Sequence, residues 1–395
     1  METYKSPFTI HVIWHPAFKE GKRFAENIYS TFCRDVNEPI SRGIGIPTFF
    51  RFENVNGKAI PLNIELKEAD RNAIVVLIDE AMFNDAEWCN YLKQLNEKTN
   101  KKNRLYPISF TQYSYYLDEN GLSANQFIVV HDILDVDKEI QYEARWNIIR
   151  SRLLHDFSRQ MLNMFSVFEA FEDISTPPPI KLFISHAKKD GLKLASDFRD
   201  YITSSTKLKT FFDANDIADG YEFEMQIKNN IIEDNTALVV FHSDEYSDRE
   251  WCRIEIITAK RYKAPIVVVY NIEHGEKRSF PYMGNVPTIK WNNNQDAIID
   301  LALVQVLNNL FSKQKLSKYL ELYGVRSSYY CIEITTPPEL FNFIDIEKKK
   351  KETKKSVLVI YPDPPLGLEE LNLLNEFKNE IEFITPILLP NVYKK

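Results

Sequence analysis

Short, nearly continuous apolar runs alternate along this chain with longer stretches whose apolar residues recur every three or four positions. The runs at 10–14, 48–50, 73–78, 106–110 and 126–130 have the length and density of strands covered on both faces, as in a parallel sheet. Between them, the pattern over 22–33 and the stretch through Trp88 and Leu92 predict amphipathic helices. A longer helical pattern covers 143–168, with Trp146, Ile149, Leu153, Leu154 and Met161 on the spacing. Strands alternating with helices predict a doubly wound parallel sheet. Thr176 and three consecutive prolines then stop the pattern, because proline lacks the amide proton a helix needs.

Beyond the prolines the alternation starts again. Strands are expected at 180–184, 210–212, 237–241 and 264–270, and helices at 192–202, 222–232, 251–260 and 297–311. The aromatic-rich stretch 317–343 fits neither period. The charge run 347–355 reads as a solvated linker. A strand at 356–361, a helix at 368–377 and a strand-like run at 383–389 close the chain. The expected domains are therefore 8–170, a proline-rich linker at 171–179, 180–312, a connecting region at 313–355, and a partial α/β segment at 356–395.

The two large domains read as copies. Ala17 to Gly21 parallels Ala187 to Gly191, each just after a strand ending in a histidine, His15 or His186. Thr48-Phe-Phe parallels Thr210-Phe-Phe. Asn72 precedes Trp88 by the same interval as Asn235 precedes Trp251, and Glu87-Trp-Cys matches Glu250-Trp-Cys. The copies differ where the chemistry lies: the counterpart of Glu255 is Leu92, that of Ser243 is Glu80 and that of Ser247 is Asn84.

Composition adds exclusions. The 395 residues carry a formal net charge of −7, so the chain has no overall electrostatic attraction for nucleic acid or anionic membrane. Its four cysteines are too scattered for a disulfide framework or a zinc site, which fits a reducing, cytoplasmic setting. No apolar run approaches a membrane span, and no signal-peptide layout opens the chain. Neither first strand–helix turn carries a Gly-x-Gly-x-x-Gly phosphate loop, which argues against dehydrogenase use of NAD.

The candidate chemistry lies at 241–255. An apolar strand gives way to a short loop with Ser243 and Ser247, and Trp251-Cys252-x-x-Glu255 opens a helix. Residues four apart share a helix face, so Trp251 and Glu255 look out together near the C-terminal edge of a sheet, where open α/β folds bind ligands.

With Phe183-Ile-Ser-His186, Asp190, Phe212-Asp213 through Gly220, Ala259-Lys260 and Pro265-Ile-Val-Val-Val269, this stretch resembles the Toll/interleukin-1 receptor (TIR) domain of bacterial defence proteins and plant immune receptors. Residues 8–135 resemble the same fold more weakly. The resemblance implies two flavodoxin-like, doubly wound parallel sheets in tandem, followed by a C-terminal βαβ segment. It implies an NAD⁺ glycohydrolase, with NAD⁺ as substrate and no cofactor or metal. Glu255 would be the catalytic carboxylate, with Ser185, His186, Asp213, Gly220, Ser243 and Trp251 around the substrate. It further implies self-association through TIR domains, a protein or ligand trigger acting through the N- or C-terminal region, and a role in anti-phage defence. A cyclase forming a cyclic ADP-ribose, and a non-enzymatic TIR scaffold, are the alternatives.

Plainer readings stand beside these. Glu255 could be a surface carboxylate paired with Lys260. Trp251 and Cys252 could serve packing, as their persistence beside Leu92 suggests, and His186 could be a turn histidine. Gly220 could serve only its turn, and Asp213 and Asp216 could be helix caps.

Overall fold

The computed structural model describes residues 4–37, 43–52, 60–114, 122, 125–162, 164, 178–206, 208–212, 234–278, 282–353, 355–377 and 381–393. The expected helix at 222–232 and the loop holding Asp213 and Gly220 lie outside the described residues. The chain forms two compact units, which divide between residues 153 and 154.

In the first unit, β1 (Ser6–Trp14), α1 (Gly21–Phe32), β2 (Thr48–Arg51), β3 (Ala69–Ile78), α2 (Glu80–Asn84), α3 (Ala86–Glu97), β4 (Asn103–Ser109) and β5 (Ile128–Val129) precede the long helix α4 (Lys138–Leu162). The sheet is parallel, in the order β2-β1-β3-β4-β5. All nine residues of β1 are buried, and so are nine of the ten in β3, as two covered faces require. Helix α1 starts tight against the sheet. A Cβ on Gly21 would lie 2.3 Å from Cδ1 of Trp14, so only glycine fits there.

His11 sits inside this sheet, 3% exposed, with Nε2 3.2 Å from Oδ1 of Asn72. Burial pushes its pKa down to about 4, against the bond to Asn72 and with help from Arg51. The unfolded chain takes up this proton near pH 6.5, whereas the folded unit takes it up only near 4. Stability is therefore complete above about pH 6.5 and falls toward pH 4, by about 1.4 kcal/mol for each pH step. Urea midpoints measured between pH 7 and 5 should show this loss, and the slope should flatten in His11→Gln.

The second unit contains β6 (Lys181–His186), α5 (Leu192–Ser205), β7 (Lys209–Phe212), β8 (Thr236–His242), α6 (Glu250–Tyr262), β9 (Ile266–Tyr270), β10 (Thr288–Lys290) and α7 (Gln295–Leu322). These five strands form one sheet, again parallel, in the order β7-β6-β8-β9-β10. Read from the second strand, both sheets follow 2-1-3-4-5. Strand β8 is buried throughout, and Phe183, Leu238, Val240, Ile256 and Val268 build the core against which α6 packs.

Past α7 the chain adds β11 (Tyr330–Glu333), α8 (Leu340–Thr353), β12 (Val357–Ile360), α9 (Leu368–Phe377), β13 (Ile381–Ile384) and the short α10 (Leu389–Val392). The three strands form a parallel sheet with β12 central and fully buried. The expected lysine linker is instead mostly the end of α8. Its lysines and glutamates suit a helix, and Ile346 anchors the helix to the core. The aromatic-rich stretch contributes the end of α7 and all of β11, so 356–395 has a third strand to pair with.

Candidate active site

Helix α6 positions the site. Glu250 in its first turn and Lys260 and Arg261 in its last complement the helix dipole. The helix ends where Lys263 turns left-handed and its N–H caps the carbonyls of Ala259 and Lys260, with Pro265 just beyond. Cys252, Ile256 and Ala259, at helical spacing, face the core. Glu255 lies on the edge of that face and is 3% exposed, whereas Trp251, one turn earlier, is 47% exposed.

A cleft of about 550 Å³ opens there, lined by His186 at the end of β6, Lys188, Lys189, Arg249, Trp251, Cys252 and Glu255. The structure thus brings His186, Trp251 and Glu255 into one cavity. Ser185 lies beneath it, 1% exposed, and donates its hydroxyl hydrogen bond to Oε2 of Glu255. The Ser185 Oγ is also 2.6 Å from the hydroxyl of Tyr246, which is fully buried. Burial, then the neighbouring Cys252 and Glu255, hold the Tyr246 phenol well above its ordinary pKa. Tyr246 therefore keeps its proton and donates to Ser185, which donates to Glu255. This relay fixes the carboxylate in one orientation.

Ser243 is placed elsewhere. It is buried and donates to Oδ1 of Asp190 at 2.7 Å, while the second Asp190 oxygen accepts the N–H of Glu245 at 2.9 Å. Asp190 thereby ties the loop after β6 to the loop after β8, the two loops that frame the cleft. Ser247 donates to Glu276, which also pairs with His242. Asp244 accepts the N–H groups of Glu273, His274 and Gly275, and these bonds lower its pKa against a desolvation cost. These contacts seat the segment 271–276 on the end of β8.

One of the plainer readings falls here. Glu255 does not pair with Lys260, which instead binds both oxygens of Glu339 at 3.0 Å. Of the Trp-Cys pair, Cys252 enters the core, whereas Trp251 is half exposed at the cleft. In the first unit the corresponding place is filled. Trp88 and Leu92 are each 1% exposed, and Trp88 packs edge-on to His15 at 5.2 Å. The Trp-Cys likeness between the two segments therefore conceals different placements of the tryptophan.

Tyr246, Lys188, Lys189 and Arg249 were not singled out from the sequence. The three cations flank the quoted motifs, but only the fold converges them on the cleft. Glu245 pairs with Lys189, which is the main cause of its lowered pKa, and lies 3.9 Å from Arg249. Among the described residues no group of His, Cys, Asp and Glu is placed to hold a metal ion. None of the described helices is long and apolar enough to cross a membrane.

Comparison with known proteins bears on the segment that builds this cleft. Residues 182–302 match the family model described as TIR domain. The chain carries a TIR domain. Among solved structures, the TIR domains in the activated Roq1 resistosome directly recognizing the pathogen effector XopQ are 17% identical, with a TM-score of 0.22, over 33% of this chain and 84% of that one. No curated protein matches the chain. The matched segment holds every residue lining the cleft and the whole of α6, and covers the sheet from the second residue of β6 onward.

Proposed function

We propose that the TIR domain of this chain is an NAD⁺ glycohydrolase with Glu255 as its catalytic carboxylate. The observation that carries the reading is a buried glutamate, oriented by Ser185 and Tyr246, at the wall of an open cleft beside an exposed tryptophan. Nicotinamide in NAD⁺ is already a cationic leaving group. When the bond from ribose C1′ to the ring nitrogen breaks, the electron pair leaves with nicotinamide and positive charge develops on the ribosyl group. No general acid is needed, and a carboxylate that stabilises this charge supplies the main electrostatic term. Water then attacks C1′ and loses its proton, giving ADP-ribose.

The remaining cleft residues suit the same substrate. The Trp251 ring provides a flat apolar wall for nicotinamide or ribose. Lys188, Lys189 and Arg249 complement the substrate's diphosphate. The cleft volume lies within the usual range for small-molecule sites. Its exposed tryptophan leaves room for a wall contributed by a neighbouring copy, so activity is expected to rise on self-association. Anti-phage defence is the biological setting this reading favours. The first unit would then serve assembly or regulation, since Leu92 offers no carboxylate.

Ser185 is a positioning residue, and its contribution is separable from binding. Ser185→Ala should lower kcat about tenfold to hundredfold with little change in KM, because Glu255 loses its donor but the cleft walls remain. Steady-state cleavage of a fluorogenic NAD⁺ analogue measures this. Equal kcat values for the two proteins would remove Ser185 from the mechanism.

A further inference from the structure

The far end of α6 borders another cavity. It also holds about 550 Å³ and lies at the opposite edge of the sheet, among the start of β9, helix α7 and the segment 335–339. Asn285, Gln305 and Asn308 line it, together with Lys263, the Lys260–Glu339 pair and Glu370, which accepts the N–H of Gly367. A smaller recess of about 310 Å³ shares Lys260, Asn285 and Glu339 with it and adds Tyr282 and Phe341, whose rings meet edge-on at 5.0 Å. None of these residues figures in the cleft at Glu255.

Lys263 stands out among them. It adopts φ 61°, a conformation normally left to glycine or asparagine at a helix end. Its ammonium group donates to the carbonyl of Glu333 at 3.1 Å. Burial, reinforced by Lys313 and opposed by Asp345 and Glu333, pulls its pKa below the ordinary value, and an anion at the cavity would raise it again. Glu339 is already committed to Lys260 through both oxygens. Side-chain amides offer paired donors and acceptors of the kind that read the edges of nucleobases, and aromatic rings offer a surface for the base to stack on.

We propose that this cavity binds a nucleoside phosphate, with Asn285, Gln305 and Asn308 addressing the base and Lys263 the phosphate. A ligand there touches the C-terminal end of the helix whose N-terminal half carries Trp251 and Glu255. The site is separate from the glycohydrolase reading and stands whether or not NAD⁺ is cleaved.

Calorimetric titration of the full chain with AMP, and with inorganic phosphate as a second probe, tests it. AMP should bind, and Lys263→Gly and Gln305→Ala should each weaken it about tenfold, the loss of one hydrogen bond to a charged or buried group. Glycine suits the left-handed backbone at 263, so that variant should keep its fold, which its thermal midpoint verifies. Trp251→Ala should leave AMP binding unchanged. The proposal is overturned if AMP does not bind, or if its binding ignores both Lys263→Gly and Gln305→Ala. Loss of AMP binding in Trp251→Ala would move the ligand to the other cleft, and inorganic phosphate binding as tightly as AMP would show that no base is read. Either result also overturns it.

Discussion

Glu255→Gln is expected to lower kcat/KM for NAD⁺ by about a hundredfold to a thousandfold, the loss typical when one preorganised electrostatic group is removed from a transition state. The substitution changes charge and little else. Glutamine keeps the volume of the buried side chain and keeps an oxygen to accept the hydrogen bond from Ser185, so the relay from Tyr246 survives. A thermal midpoint close to that of the wild type would show this. If folding alone were affected, activity and midpoint would fall together. Cleavage should be followed with a fluorogenic NAD⁺ analogue, both dilute and under conditions that drive self-association, because the cleft is open on the side of the exposed Trp251. Wild type and Glu255→Gln behaving alike in every condition would end the enzymatic reading. The TIR domain would then be an interaction module. Chromatography of the products separates hydrolysis from cyclisation, which differ only in whether water or an adenine nitrogen takes C1′.

The second large effect concerns the first unit, where the same motif is used for packing. Leu92 is 1% exposed among Ile74, Val76 and Leu105, and Leu92→Glu would place a charge in that core. The cost exceeds the roughly 2–5 kcal/mol of a Leu→Ala truncation, because the carboxylate has no partner there. Hydrogen exchange of β3 amides in the full chain should accelerate strongly, and the variant should gain no NAD⁺ cleavage. A paired comparison sharpens the test. Trp88→Ala should destabilise its unit by about 3–5 kcal/mol, the usual cost of emptying a buried aromatic site. Trp251→Ala should cost clearly less, since about half of that residue already faces solvent. Equal stability losses at the two tryptophans would mean that both rings pack alike.

Much of the architecture was written in the period of the apolar positions. Runs such as 73–78 are too apolar for a half-exposed strand, and their burial on both faces follows from parallel pairing under helices. A likeness between the two halves was legible in the Trp-Cys pairs, which follow Asn72 and Asn235 at the same interval, and both five-stranded sheets have one strand order. Thr288–Lys290 and Tyr330–Glu333 were missed. Each is a strand of three or four residues, half-buried or exposed, without an alternation long enough to read, and its strand character comes from its neighbour.

The site divides the same way. Helical spacing alone put Trp251 and Glu255 on one face, because a side chain's direction on a helix depends on local geometry that every residue shares. Spacing could not say that Trp251 is exposed while Trp88 is buried, since the two stand in matching sequence and differ only in what packs over them. Nor could it join Ser185 to Tyr246 across 61 positions of chain and to Glu255 across 70. The sequence by itself therefore determined the kind of fold and the carboxylate to look for. Tertiary structure decided which of two similar motifs faces a cleft, because burial and long-range hydrogen bonds depend on the whole packed sheet and not on any one segment of it.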